Sequence, residues 1–111
     1  MSTDAAPLFV MPGEPPVPVP ETGIHSATVR KHGTVSVVGF GMAEGEEMSE
    51  HTSSRPAVIV VTDGSIEVSA AGRTEVLGPG GVCAMAPGTV HALRALRPSA
   101  MTLVLGPAPA G

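Results

Sequence analysis

The chain has 111 residues, enough for one small domain and too few for two. Hydrophobic residues make up 42%, so a core can be built, but the only aromatics are Phe9 and Phe40. With a formal charge of −4 and no basic stripe, the chain has neither the cations to displace counterions from phosphate nor the rings to stack on bases, which argues against a nucleic-acid partner. Cys83 is the single cysteine, so no intrachain disulfide can form and a cytoplasmic location is expected. The opening MSTDAAPLFV lacks the basic and apolar regions of a signal peptide. No run approaches the roughly 18 apolar residues needed to span a bilayer, so no membrane partner is expected.

Residues 7–20 read PLFVMPGEPPVPVP, with six prolines in fourteen positions. Proline fixes φ and removes a hydrogen-bond donor, so an extended, polyproline-like arm is predicted over residues 1–22. Either it is a leader without fixed structure, or Leu8, Phe9, Val10 and Met11 are pinned against the domain or a partner subunit, because a bare LFVM patch is poorly tolerated in water.

From Gly23 onward strand signals dominate. ATVR, TVSVVGFGM, AVIVV, SIEVSA, TEVL, VCAMA, VHALRAL and AMTLVL are short β-rich runs, punctuated by HG, EGEE, TDG, AAGR, GPGG, APG and RPS. Turn signals every eight to twelve residues indicate an all-β sandwich or barrel, assigned to residues 23–106, with a flexible tail at 107–111. Asp63-Gly64 predicts a tight hairpin turn between AVIVV and SIEVSA. GFG at 39–41 and GPGG at 78–81 have no following helix whose N-terminus could hold a phosphate.

Two spaced patterns carry a more specific signal. The first is Gly45, EEMSE, His51-Thr52-Ser53, SRP, Ala57, VIVVTD, Gly64. The second is Gly80, GVCAM, Ala86-Pro87-Gly88, TV, His91, ALR, Ala95. In order and spacing the chain resembles the cupin superfamily over roughly residues 34–105, in particular its small single-domain, RmlC-like members. The resemblance implies a double-stranded β-helix, the cupin jelly-roll barrel. In that family two histidines and a glutamate of the first motif and one histidine of the second ligate metal. His51 and His91 occupy two of those positions, Ser53 and Ala57 the other two. Ala86 stands where the motif has proline, with Pro87 one place late, and Ala95 where asparagine is usual. The resemblance therefore implies half a metal site.

Strand alternation assigns the faces. Ser49, His51 and Ser53 share one side, with Met48, Glu50 and Thr52 on the other. Ala57, Ile59 and Val61 are expected to face inward, opposite Val58 and Val60. His91, Leu93 and Ala95 form one row. His51 and His91 would meet at a barrel mouth, with Ser49, Ser53, Ala57, Ile59, Val61 and Leu93 lining the ligand pocket and Arg55 able to reach a ligand carboxylate. Met42, Met48, Met85 and Met101 are read as core filler and Cys83 as a small packed hydrophobe. Glu44, Glu46, Glu47 and Glu50 are read as a solvated rim.

A catalytic transition-metal centre generally needs three protein ligands and an open position. With two histidines, a divalent ion (zinc, iron, nickel, manganese or copper) would need a third ligand from His25, His32, Glu47, Glu50 or Cys83, and no spacing argues for any of them. No cofactor is the leading expectation. The leading function is a barrel that binds a small organic ligand; few polar groups and almost no aromatics favour a fairly hydrophobic molecule or a small acid over a sugar. The alternative is an enzyme with His51 and His91 as catalytic groups, either a metal-free acid/base isomerase or a metal-assisted oxygenase or lyase, since imidazole titrates near neutrality. A third reading is a structural module whose cup is closed by side chains. The outward Val58 and Val60, with the LFVM patch, favour a homodimer.

Overall fold

The computed structural model describes residues 6–109, so the arm expected at 1–22 and the tail expected at 107–111 each run partly outside the described residues. Nine strands, and no helix, occur among them: β1 (Ile24–His32), β2 (Val35–Met42), β3 (Glu47–His51), β4 (Ala57–Asp63), β5 (Ile66–Ala70), β6 (Arg73–Leu77), β7 (Val82–Met85), β8 (His91–Ala95) and β9 (Ser99–Leu105). They form two antiparallel sheets, a large one in the order β1-β2-β9-β4-β7 and a small one in the order β3-β8-β5-β6. The core lies between the sheets. Met42, Ile59, Val61, Met85 and Met101 come from the large sheet, and Ile66, Val68, Leu93 and Ala95 from the small one. Three methionines thus fill space that aromatic rings occupy elsewhere, as expected from their flexible, unbranched side chains.

The turn at Asp63-Gly64 is tight, but it is not a hairpin. β4 pairs with β7 and β9, whereas β5 pairs with β6 and β8, so the turn carries the chain from one sheet to the other. Gly64 takes a φ of 81°, in the region glycine enters without a Cβ penalty. The Ser99 hydroxyl fastens the corner by accepting from the Ser65 amide at 3.0 Å and donating to the Ser65 carbonyl at 3.2 Å. The genuine two-residue hairpins are at Gly33-Thr34 and Ala71-Gly72.

The proline-rich arm is seated on its own barrel; of the four residues expected to anchor it Leu8 and Val10 are half-buried, but the deepest contact is made elsewhere. Phe9 and Met11 remain 78% and 53% exposed, while Val17 is only 8% exposed. Val17 lies over Gly39 and the Pro18–Val19 backbone over Gly41, two glycines at alternate positions of β2 whose missing side chains leave a groove. A Cβ at Gly41 would meet the Pro18 carbonyl and approach the Val19 Cα to 2.9 Å. Further out, the Gly13 amide donates to Asp63 Oδ1 at 3.0 Å.

This packing has a thermodynamic signature. Gly41→Ala is expected to destabilise the full chain by about 1–3 kcal/mol through overpacking. In a chain lacking residues 1–20 the same change should be close to neutral. Urea melts of the four proteins in the cycle measure this, and equal penalties in both backgrounds would contradict the seated arm.

Candidate functional site

The histidine pair is positioned by β3 and β8. His51 is the register partner of His91, and Met48 that of Leu93. Three steps separate Met48 from His51 along β3 while two separate Leu93 from His91, so β3 carries a bulge between them. The extra residue places both Met48 and His51 on the inner side. It also overturns the expected row of Ser49, His51 and Ser53. Ser49 is exposed and lines a groove on the outer face, among Glu47, Glu67, Ser69 and Arg94.

The two imidazoles stand with ring centroids 4.1 Å apart and planes inclined by 58°. His51 is exposed and His91 is buried, at 7%. Each ring is held in the same way: His51 Nδ1 lies 2.7 Å from the Ser49 carbonyl, and His91 Nδ1 lies 2.9 Å from the Thr89 carbonyl. A carbonyl can only accept, so each Nδ1 carries the proton when the ring is neutral, and each Nε2 presents a lone pair. The Gly88 amide ties the neighbouring loop to the Ser53 carbonyl at 2.8 Å, fixing the two approaches to the pair.

Other residues expected to contact a ligand have structural duties. Ser53 Oγ closes a local turn, donating to the Arg55 carbonyl at 3.0 Å and accepting from the Arg55 amide at 3.1 Å. Arg55 is not available for a ligand carboxylate. Its Nε donates to the Gly106 carbonyl at 2.6 Å, Nη1 to Ser36 Oγ at 3.3 Å, and Nη2 to the Thr34 and Leu105 carbonyls. Ala57, Ile59, Val61 and Leu93 face inward as expected, but they are buried core rather than cavity wall.

The open space lies to one side. A cleft of about 490 Å³ is lined by Val68 and Ala70 of β5, Arg73, Glu75, Val76 and Leu77 of β6, and Val82 and Cys83 of β7. It reaches Ala70, the register partner of His91, and so stops one strand short of the histidine pair. None of these lining residues stood out from motif spacing. Their signal was the two-residue turn at Ala71-Gly72, which passes the inward facing of Val68 and Ala70 to Glu75 and Arg73. Among the described residues no group of three or more histidine, cysteine, aspartate or glutamate side chains could hold a metal ion. The side chains here therefore do not fit a three-ligand metal centre.

Two facing antiparallel sheets with a histidine pair across β3 and β8 define a small single-domain cupin jelly roll. More specifically, the chain belongs to the AraC-like ligand binding domain family, whose model matches residues 34–106. Similar solved structures include a conserved Streptococcus pyogenes protein, with 24% identity, a TM-score of 0.78, and 95% of this chain and 90% of that one covered. KdgF from Halomonas sp. is 26% identical, with a TM-score of 0.72 and coverage of 78% and 82%. A cupin superfamily protein from Desulfitobacterium hafniense is 19% identical, with a TM-score of 0.76 and coverage of 92% and 99%. No curated protein matches the sequence.

The role assigned to Arg55 separates stability from binding. Arg55→Ala removes bonds to four acceptors and is expected to destabilise the fold by about 1–3 kcal/mol. Ligand affinity, measured well below the melting transition, should stay within about twofold of wild type. A large loss of affinity without loss of stability would return Arg55 to the ligand site.

Proposed function

We propose that the chain is a small-molecule-binding barrel that holds an organic ligand beside His51 and His91 without a metal. The observation that carries this reading is the matched anchoring of the two rings, each Nδ1 on a backbone carbonyl two residues earlier, each Nε2 without a hydrogen-bond partner among the described residues. Two adjacent lone pairs form a bidentate acceptor for a ligand hydroxyl or amide hydrogen. Membership of a ligand-binding family supports the same reading. Preorganisation matters here, because rings already locked by backbone bonds lose little freedom on binding. The burial of His91 strengthens any hydrogen bond it makes, since water competes poorly there.

Catalysis by the same pair is the second reading. What favours it is the asymmetry of the rings, one exposed and one buried at 4.1 Å separation, which could divide the roles of proton donor and proton acceptor. A homodimer is part of the proposal as well. An apolar groove on the large sheet, with Val35, Val58, Ala84 and Val104 among its lining residues, supports pairing of two copies through that face.

Elemental analysis of untagged protein purified without chelator tests the metal-free reading, with His51→Ala as control. Metal far below one equivalent, unchanged by the substitution, is expected. Near-stoichiometric zinc, iron, nickel, manganese or copper that disappears in His51→Ala would overturn it and make the enzyme reading the stronger one.

A further inference from the structure

The inner face of the small sheet is ordered in rows across its four strands. One row runs His51, His91, Ala70, Arg73, and the next runs Met48, Leu93, Val68, Glu75. Arg73 and Glu75 thus lie on the same side as the buried Val68 and Leu93, their side chains 81% and 55% exposed at the open rim of a cleft also lined by Ala70, Leu77 and Cys83. The pair is joined internally, Arg73 Nε to Glu75 Oε2 at 2.8 Å. That bond holds the guanidinium by its Nε edge and leaves the two Nη nitrogens without a protein partner among the described residues. Those two nitrogens are the fork that grips a carboxylate with two parallel hydrogen bonds.

Inward charge on an edge strand can serve simply to discourage edge-to-edge pairing. Such a role requires neither a cleft nor a particular row. Here the guanidinium stands at the rim of a cleft of about 490 Å³ and shares its row with the histidine pair. The only inner-face residue between Arg73 and His91 in that row is Ala70, the small residue at which the cleft ends. Two strand spacings place the Arg73 and His91 backbones about 10 Å apart, a span suited to a small molecule with a polar group at each end.

We propose that Arg73, oriented by Glu75, is the carboxylate anchor of the ligand site, and that the ligand is a small organic acid with an apolar body. Its carboxylate pairs with the Arg73 Nη atoms, and its body lies along Val68, Ala70, Leu77 and Cys83. A hydrogen-bond donor at the far end approaches the Nε2 lone pairs of the histidines. This rests on the metal-free ligand-binding reading given above and adds to it the chemical class of ligand.

The test uses matched carboxylate–amide pairs, hexanoate with hexanamide and benzoate with benzamide, titrated into the nitrogen-labelled full chain and followed by backbone amide NMR. Each acid should perturb the Val68, Ala70, Leu77 and Cys83 signals and bind tighter than its amide by on the order of tenfold. Arg73→Ala should abolish that preference and Arg73→Lys restore only part of it, since an ammonium lacks the planar fork. Arg94→Ala removes an equal charge from the outer face and should leave the preference intact; urea midpoints confirm that all three variants fold. Equal binding of acid and amide, or a preference that survives in Arg73→Ala, would overturn the anchor while leaving a ligand pocket in place. No perturbation in the cleft or at His51 and His91 from either member of any pair would overturn the pocket reading together with the anchor.

Discussion

One additional residue in β3, between Met48 and His51, determines what the small sheet presents to its interior. Counting inward from Met48 by strict alternation, Glu50 would face His91, and a carboxylate would enter a largely apolar space. The bulge moves the count by one. His51 then lies across from His91 while Met48 still packs over Leu93, so the strand serves the core and the site at once. Within the same irregularity the Ser49 carbonyl lies 2.7 Å from His51 Nδ1, while the Ser49 side chain stays on the outer surface.

The rest of the barrel shows that the demands of backbone and chemistry are separable. Gly45, Gly64, Gly80 and Gly88, the motif glycines, all take φ between 81° and 89°. Those conformations are required by the corners of the fold whatever the barrel binds. Position 57 behaves differently. Ala57 is buried, with Met85 and Leu105 as its register neighbours, and an ionised carboxylate there would need a charged or hydrogen-bonding partner to offset its desolvation. With alanine the core closes, and Met85, Ile59 and Val61 fill what would otherwise be the middle of the cup. Open volume is displaced toward β6 and β7, where the two sheets present unpaired edges and the only charged residues lining the cleft are Arg73 and Glu75, at its rim.

Much of this was legible in the residue order. The β-rich runs and glycine punctuation marked every strand but β3, whose polar EMSEH entered only through the motif spacing, and alternation placed His91, Leu93 and Ala95 on the buried face. What escaped had identifiable causes. A bulge breaks alternation without leaving a mark in composition, so Ser49 was assigned to the wrong face. The acceptors of Arg55 lie at Thr34, Ser36, Leu105 and Gly106, far away in sequence, and no local pattern announces them. Asp63-Gly64 has hairpin chemistry but joins strands in different sheets, because β9 and β7 already occupy both edges of β4. Val17 was hidden by its proline-rich surroundings, and the groove that receives it depends on Gly39 and Gly41 facing the same way. Arg73 and Glu75 were within reach of sequence reasoning, since a two-residue turn fixes the register of β6 on β5.

Everything proposed for the site depends on two neighbouring imidazoles that each hold the proton on Nδ1 and leave Nε2 as an acceptor. Long-range proton–nitrogen NMR of the histidine rings, at a pH where both are neutral, observes this directly. Signals of an unprotonated, pyridine-type Nε2 and a protonated Nδ1 are expected for both His51 and His91. A protonated Nε2 on either ring would contradict the anchoring by the Ser49 and Thr89 carbonyls, and with it the paired acceptor on which the ligand-binding site is built.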